Sequence, residues 1–200
     1  MNKITSSYMD EVFNLENNDM NEEKLQSIGA EAMAFKSQFQ SLQLATTNAQ
    51  GLPEASYAAY VEQDNKFYIY VSELATHCAN LRDTGRCSLM FIEAEKDAAH
   101  LFARKRLVFQ CAAQEVNRES AQFETIMALF FEKFGKFMDV ISKLTDFHLI
   151  ELVPAQGSYV SGFAKAYHLN GQDLMQVTHR NDQGHTAPDK AIQQTLDQLA

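Results

Sequence analysis

From Leu42 onward the chain is a succession of short apolar stretches divided by turn residues, at intervals too short for long helices. The first three stretches read LQLATT, EASYAAYVEQ and KFYIYVS, and they are separated by NAQGLP and QDN. Short runs rich in β-branched and aromatic residues, bounded by Gly, Pro, Asn and Asp, are typical of strands joined by tight turns. The pattern therefore predicts consecutive antiparallel strands and a mainly β fold.

The same pattern continues through most of the chain, with one long helix inserted. HCANLRDTG predicts a short helix closed by Gly85, and the next strands are predicted in CSLMFIE, RKRLVFQCAAQEV, FHLIELVP and GSYVSGFAKAYHLN. Before the last two strands, apolar residues recur at helical spacing and mark a core-facing helix: Phe123, Ile126, Met127, Phe130, Phe131 and Phe134. Six or seven short strands around one inserted helix predict a small α+β protein, a β-barrel with peripheral helices.

The two ends of the chain differ from this middle part. Leu25, Ile28, Ala32, Phe35 and Phe39 recur at helical spacing and predict an amphipathic first helix behind an acidic lead-in. Beyond Gly171 the chain becomes polar, and this stretch is predicted to be helical again. We therefore expect an N-terminal extension with the first helix (1–34), a barrel domain (35–170) and a tail (171–200).

Charge and composition exclude several classes of partner. With 46% hydrophobic residues in 200 the chain can bury a core, and its net charge of −9 argues against nucleic acid or an anionic membrane as partner. The first twenty residues lack the apolar core of a signal peptide, and IMALFF is too short to span a bilayer. Three cysteines without metal-ligand spacing indicate buried thiols in a reducing compartment, so we expect a cytoplasmic protein.

The most concentrated basic group is Arg104-Lys105-Arg106, at the start of a predicted strand. Alternation along a strand would place Arg104 and Arg106 on one face and Lys105 on the other. Two guanidinium groups on one face could bind a phosphate or a carboxylate. The alternative is a solvated edge strand, where basic residues prevent aggregation. The residues alone leave both interpretations open.

Two of the six histidines stand apart from the others. No pair has metal-ligand spacing such as HxxxH, and His100, His148 and His168 are interpreted as structural or surface residues. His77 begins the short helix after the third strand, where a barrel could open toward a ligand. His185 follows Gly184 in the polar stretch RNDQGHTAPDK, and the glycine would allow a hinge there.

Several stretches together resemble a known family. The blocks LQLATTNAQGLPEASYAAYV, FARKRL, FGKFMDVISKLTDFHLIELVPAQGSYVSGFAKAY and the late GH pair are similar to the HutZ/HugZ haem-utilisation proteins. That family belongs to the pyridoxamine 5′-phosphate oxidase-like, FMN-binding split-barrel superfamily. The resemblance runs from about Phe35 to His185, and it implies a split β-barrel with peripheral helices and a mobile C-terminal segment. Where the family usually shows GFG, this chain has Gly162-Phe163-Ala164.

The resemblance also implies a function and a set of site residues. Members of the family bind haem between two protomers and degrade it oxidatively to a biliverdin-like product, with release of iron. By this likeness His185 is the axial ligand of the haem iron, and Asp146 of the other subunit is the acid that hydrogen-bonds it. Arg106 lies on the open side of the iron, and His77 lies near the pocket. Arg104 and Lys105 would meet the propionates.

These implied roles are chemically consistent. A carboxylate on the second nitrogen of an iron-ligating imidazole fixes its tautomer and increases electron donation. An arginine on the open side can stabilise the oxidant through charged hydrogen bonds. The expected partners are a second copy of the chain, haem as ligand and substrate, and an external electron donor.

Two alternatives remain at this stage. One is an FMN-binding oxidoreductase, because the superfamily fold is shared and fold does not dictate function; Arg104 or Arg106 would then hold the flavin phosphate. The other is a haem carrier or store that does not turn haem over.

Overall fold

The computed structural model describes residues 23–163, 165–171 and 173–180. Within these ranges the strands form a single antiparallel sheet of eight. The strands are β1 (Ser41–Thr47), β2 (Pro53–Gln63), β3 (Lys66–Ser72), β4 (Arg86–Ile92), β5 (Arg106–Glu115), β6 (Phe147–Gly162), β7 (Lys165–Asn170) and β8 (Gln176–His179). The helices are α1 (23–36), α2 (Thr76–Thr84), α3 (Ala121–Phe134) and the short α4 (Met138–Ile141).

Six of the strands close into a barrel. The sheet runs in the order β3-β2-β1-β4-β5-β6, and a further pairing between β3 and β6 joins its two edges. That closing ladder pairs Phe67 with Leu152 and Ser72 with Phe147. β7 and β8 continue the sheet beyond the barrel, on the second half of β6. The prediction of a mainly β split barrel with peripheral helices is confirmed.

Local sequence explains two of the sharpest connections. Asp64 and Asn65 both adopt positive φ, 53° and 59°, between β2 and β3. Two consecutive residues of that conformation form the hairpin turn whose twist matches the flanking strands, and Asn and Asp tolerate it best after Gly. Gly85 ends α2 with φ of 64°, and its N–H donates to the carbonyl of Leu81. The short helix closed by Gly85 is therefore confirmed.

The sixth strand differs from its prediction. FHLIELVP and GSYVSG form one continuous strand of 16 residues rather than two strands. The first part of β6 pairs with β3 up to Leu152, and the later part pairs with β7 from Gly157 onward. Pro154 lies between these two ladders, next to a register shift against β5. Because Pro lacks an N–H, a bulge between two ladders is a position where it can remain within a strand.

The barrel interior is apolar and closed at one end by α1. Ala32 and Phe35 of α1 are buried within the main core cluster, and the ring of Phe35 lies 5.0 Å from that of Phe39. The predicted first helix is thus confirmed, although it ends before Phe39. Inside the barrel, the ring of Phe67 lies 5.8 Å from Phe91 and 5.6 Å from Phe109.

The helix α3 covers part of the outside of the barrel. It buries Ile126, Met127 and Phe130 against the outward side chains of Tyr68 and Tyr70 on β3. Packing between α3 and β3 makes most of this face a second core, as predicted, with Phe123 and Phe134 partly buried against it. The prediction is wrong for Phe131, which is 38% exposed because it lies about 100° around the helix from the buried Phe130. The outer faces of β1, β4 and β5 lie outside this cluster.

Two further predictions are corrected or limited. Residues Gln176–His179, expected to be helical, form β8, because their N–H and carbonyl groups complete the edge of β7. β5 begins at Arg106, two residues later than predicted. The division into 1–34, 35–170 and 171–200 remains a prediction, and the mobile C-terminal segment lies mostly outside the described residues, as does Ala164. In the described part of the chain, no helix combines the length and apolarity needed to cross a membrane.

Candidate functional site

Asp146 lies immediately before β6, at the end of the barrel where β3 finishes. Its Oδ2 accepts a hydrogen bond from Ser72 Oγ at 2.8 Å, and its carbonyl accepts one from the N–H of Glu73 at 2.8 Å. Its side chain is half-buried. A carboxylate held through one oxygen keeps its other oxygen as an acceptor for a second partner.

The turn that carries Asp146 is held by an arginine from another part of the chain. Nη2 of Arg118 lies 3.1 and 2.9 Å from the carbonyl oxygens of Leu144 and Phe147 and 3.0 Å from the hydroxyl of Tyr70, so its two N–H groups are shared among three acceptors. The two carbonyls flank Asp146 in sequence. Burial raises the pKa of Tyr70, while Arg118 acts in the opposite direction. The turn is therefore bound to the barrel on both sides of Asp146.

His77 lies at the same end of the barrel, five residues after Ser72. It is the second residue of α2 and is 9% exposed. Burial lowers its pKa, and the nearby carboxylate of Glu54 acts in the opposite direction. A buried imidazole of lowered pKa is neutral near pH 7, in the form that can ligate a metal or accept a proton. The structure thus places His77 and Asp146 at one end of the barrel.

A network of charged residues lies beside Asp146. His148 contacts Glu115 Oε1 through Nδ1 at 2.6 Å and Glu73 Oε1 through Nε2 at 2.7 Å. Arg82 spans the same two carboxylates, at 2.9 Å to Glu115 and 3.5 Å to Glu73. These contacts support the interpretation of His148 as a structural residue. They also hold the chain on both sides of the Ser72–Asp146 contact.

The basic cluster lies at the opposite end of the barrel. Arg104 precedes β5 and folds back, with Nε 2.9 Å from the carbonyl of Glu93 and Nη1 3.4 Å from Glu95 Oε1. Nζ of Lys105 lies 3.0 Å from Glu31 Oε1 of α1. Neither residue belongs to a strand, so the predicted alternation does not apply to them. Both are engaged by carbonyl or carboxylate oxygens.

Arg106 is the member of the cluster that does belong to the sheet. It begins β5, pairs with Ile92 and Val160, and its side chain is half-buried on the outer face. Nη1 donates to the carbonyl of Arg104 at 3.3 Å, a contact that occupies one of its five N–H groups. The remaining donors suit an anionic or strongly polar ligand.

The predicted site residues therefore form two groups within one chain. Val160, the β6 partner of Arg106, lies 14 residues after Asp146. That separation corresponds to roughly 46 Å of strand at about 3.3 Å per residue. Arg106 and Asp146 consequently lie at opposite ends of β6. His185 falls outside the described residues.

The outer face between these two ends is uncharged. Two cross-strand rows run over β2, β1, β4, β5 and β6 on the side opposite the barrel core. Together they form the outer sheet face: Ala55, Ala45, Ser88, Gln110 and Gln156 in one row, and Tyr57, Gln43, Met90, Val108 and Ser158 in the other. Tyr57 is 74% exposed. Half of these ten residues are apolar and the other half are uncharged Ser or Gln. Depletion of charged residues is typical of the core of a protein–protein interface.

Sequence reasoning missed the residues that hold Asp146. Ser72 and Asp146 are 74 positions apart, and Arg118 lies 26 positions from Leu144. No spacing rule connects residues at such distances. The available signal was indirect: a polar residue that ends the buried strand KFYIYVS faces the residue that begins its antiparallel partner once the barrel closes.

Comparison with known proteins agrees with this architecture. The pyridoxamine 5′-phosphate oxidase family matches residues 28–161. The chain is 40% identical over 165 residues to heme oxygenase HutZ of Vibrio cholerae serotype O1 (strain ATCC 39315 / El Tor Inaba N16961), a match that covers 82% of this chain and 93% of that protein.

Solved structures extend the comparison to the fold. The crystal structure of HutZ, described as the heme storage protein from Vibrio cholerae, aligns with a TM-score of 0.60 at 40% identity and covers 62% of this chain and 88% of that chain. Campylobacter jejuni ChuZ aligns with a TM-score of 0.71 at 33% identity and covers 81% of this chain and 65% of its own. The chain therefore belongs to the HutZ/HugZ haem-utilisation family of the pyridoxamine 5′-phosphate oxidase-like split-barrel superfamily.

Proposed function

We propose that this protein binds haem between the two subunits of a homodimer and degrades it oxidatively to a biliverdin-like product with release of iron. Haem is then ligand and substrate, and an external donor supplies the electrons. The relative HutZ of Vibrio cholerae supports haem as the ligand, because it is named a heme oxygenase and its crystal structure is described as that of a heme storage protein. Degradation goes beyond binding and needs its own test.

The observation that carries the dimeric site is the position of Arg106 relative to Asp146. Arg180, the last described residue, donates its N–H to the carbonyl of Ala166, which pairs with Val160 and so lies in the same row as Arg106. Three strand spacings, about 14 Å, separate Arg180 from Arg106. Five further residues can span up to about 18 Å, so His185 can reach the Arg106 end of its own chain.

Asp146 of the same chain lies at the other end of the barrel. A site that combines His185, Arg106 and Asp146 therefore draws its carboxylate from a second subunit. The outer sheet face offers the surface for that subunit, because its two uncharged rows lie between the two ends. An isologous dimer would place the Asp146 end of one chain against the Arg106 end of its partner.

The chemistry of these residues fits haem. An uncharged, partly apolar surface suits the macrocycle, and Arg106 offers guanidinium donors next to that surface. Asp146 has one oxygen that could accept a hydrogen bond from the N–H of the ligating imidazole, which would make that ligand a stronger electron donor. When haem is bound, its iron supplies the oxygen chemistry; the protein's part is to position, to exclude water and to hold protons.

The test of haem binding is an absorption titration of the purified protein with haemin. We expect a saturable Soret band with one haem per subunit or per dimer interface, and a much altered spectrum in His185→Ala. Adding ascorbate or peroxide then separates an enzyme from a store: the enzyme loses the Soret band and yields a biliverdin-like pigment with chelatable iron. A stable spectrum under both reagents would refute the degradation and leave a carrier.

The test of the subunit interface is Met90→Lys, which adds a charge to the middle of the outer sheet face. Burying an unpaired charge in an interface costs several kcal/mol, so we expect a monomer that has lost haem. Ser37→Lys adds the same charge at an exposed position beyond α1 and serves as the control. A dimer of unchanged affinity in Met90→Lys, by analytical ultracentrifugation, would place the interface elsewhere.

The alternative function, an FMN-binding oxidoreductase, predicts a different result in these titrations. Its support is the family match to pyridoxamine 5′-phosphate oxidase. If it is correct, the protein takes up FMN and turns yellow, and haemin binds weakly and without a defined stoichiometry. The two titrations on one preparation decide between them.

A further inference from the structure

We infer that Ser72 and Arg118 position Asp146 for its contact with the axial histidine of the partner subunit. This inference rests on the function proposed above and deepens it. Neither residue touches the ligand in this scheme; each acts through the carboxylate. The argument comes from the hydrogen bonds that fix the side chain and those that fix its backbone.

The hydroxyl of Ser72 determines which oxygen of Asp146 is available. The hydroxyl oxygen accepts a hydrogen bond from the N–H of Leu74 at 3.1 Å, and the hydroxyl donates a hydrogen bond to Asp146 Oδ2 at 2.8 Å. A serine hydroxyl has one proton to donate. The contact therefore has a defined direction, and it stops the carboxylate from rotating. Oδ1 is left as the acceptor for an imidazole N–H.

Arg118 holds the backbone on which that carboxylate stands. Its Nη2 donates to the carbonyls of Leu144 and Phe147, and the hydroxyl of Tyr70 accepts the third contact of the same nitrogen. Turns at the start of a strand are otherwise free to shift, because several of their carbonyls have no ladder partner. Arg118 is itself oriented by the ring of Phe123, 5.6 Å from its guanidinium carbon.

This arrangement matters because the contact spans two subunits. A hydrogen bond between two subunits forms reproducibly when its acceptor is already fixed, since both atoms would otherwise have to be ordered together. Hydrogen bonds weaken steeply once their angle falls far from linear. A carboxylate that rotates or shifts by about 1 Å would lose much of its effect on the imidazole. Ser72 supplies the rotational restraint and Arg118 the positional one.

The first experiment uses the haem-free protein and measures how firmly the turn is held, independently of haem. Hydrogen–deuterium exchange is measured for the peptide that contains the Leu144–Phe147 turn. We expect Arg118→Met to speed exchange there by roughly five-fold or more, and Arg118→Lys by less, because Lys keeps the charge but lacks the planar donor group. Ser72→Ala should leave exchange in this peptide unchanged, because the two contacts that it removes, with Asp146 Oδ2 and with the N–H of Leu74, involve no amide of the turn. Unchanged exchange in Arg118→Met would overturn the role given to Arg118.

The second experiment uses the haem complex. We expect Ser72→Ala to lower the iron–histidine stretching frequency of the ferrous complex and to slow haem degradation roughly three- to ten-fold, at or below the lower limit seen when a partner of a metal-ligating histidine is removed. Ser72→Thr keeps the hydroxyl and should restore both. Ser37→Ala removes another exposed serine hydroxyl, far from Asp146, and should change neither.

The outcomes separate the inference from the proposed function. If Asp146→Asn changes the stretching frequency and the rate but Ser72→Ala changes neither, the positioning role of Ser72 is wrong and the function stands. If Asp146→Asn also changes neither, the role of Asp146 is wrong and the inference built on it falls with it. A lower frequency in Ser72→Ala, restored in Ser72→Thr, supports both.

Discussion

Gly157 lies where β6 changes partners, and replacing it with Ala should weaken the fold by a predictable amount. It faces the barrel interior between Phe109 of β5 and Leu169 of β7. A methyl group added there would lie 3.0 Å from two ring carbons of Phe109 and 3.1 Å from Cβ of Leu169. Phe109 is 1% exposed and Leu169 is fully buried, so neither can move aside without disturbing its own neighbours.

The expected cost follows from these contacts. Overpacking a well-filled core by one methyl group costs about 1–3 kcal/mol. Ala also reduces the conformational freedom of the unfolded chain relative to Gly, which by itself raises the unfolding free energy by about 0.4–1 kcal/mol. Subtracting the second range from the first gives about 0–2.6 kcal/mol, so the central expectation for the net loss in unfolding free energy of Gly157→Ala is about 1–2 kcal/mol.

A matched control lies in the same strand. At Gly162 the nearest atom to an added methyl group is Cδ of Lys165, at 3.7 Å, the end of a flexible side chain. Gly162→Ala should therefore be neutral or stabilise the protein by up to about 1 kcal/mol. Both variants make the same chemical change in β6, so their difference isolates the crowding at Phe109 and Leu169.

Equilibrium urea denaturation of the haem-free protein measures both effects, at one fixed protein concentration because the proposed dimerisation would make stability depend on concentration. With a slope of about 2 kcal/mol/M, the midpoint of Gly157→Ala should fall by about 0.5–1 M. Equal midpoints for the two variants would refute the reasoning, because crowding would then not decide stability here. A rise for Gly157→Ala would refute it more strongly.

Three further predictions concern the protein's polar contacts. Glu151 is buried; burial alone would raise its pKa, but hydrogen bonds from Lys66, Tyr68 and Gln122 hold it below the ordinary value. At pH values above the unfolded pKa of about 4.3, the wild type should exceed Glu151→Gln in unfolding free energy by about 1–3 kcal/mol. This difference should shrink as the pH falls through the lowered pKa of Glu151 in the folded protein. Denaturation of both proteins across this pH range tests the prediction, and a difference that does not change with pH contradicts it. Ser120→Ala removes the oxygen that accepts from Phe123 N at 3.2 Å at the start of α3 and should cost about 1 kcal/mol, checked by thermal unfolding against Ser120→Asn. Arg106→Ala should fold and bind haemin yet degrade it at least about tenfold more slowly, whereas loss of FMN affinity instead would favour the flavin alternative.

The barrel could be predicted because its information is local. The turn residues around Asp64 and Gly85 and the alternation within each short stretch determine strands without knowledge of their partners. Pro154 and Gly157 misled the same reasoning, since Pro and Gly three residues apart are typical of a turn. Only the pairing of β6 with β3 before this point and with β7 after it shows why the strand continues.

The candidate site could be predicted only in part, for the opposite reason. Family resemblance pointed to Arg106, Asp146 and His77, and the structure places the last two at one end of the barrel. The resemblance could not show that Arg104 contacts the carbonyl of Glu93 and Lys105 the carboxylate of Glu31, because those contacts depend on how α1 and the loop before β5 fold back. The support given to Asp146 by residues far away in sequence was invisible for the same reason.

Closure of the barrel by β3 and β6 has a consequence for the protein's synthesis. Ile69 of β3 pairs with Ile150, so this edge of β3 stays unpaired until the ribosome has translated 81 more residues. At about 5–20 residues per second this interval is roughly 4–16 s. The unpaired segment of β3, FYIYV, carries no charge, proline or glycine and is buried in the folded barrel. Such an unpaired edge is prone to aggregate, so we expect shielding of the nascent chain during this interval to raise the yield of folded protein.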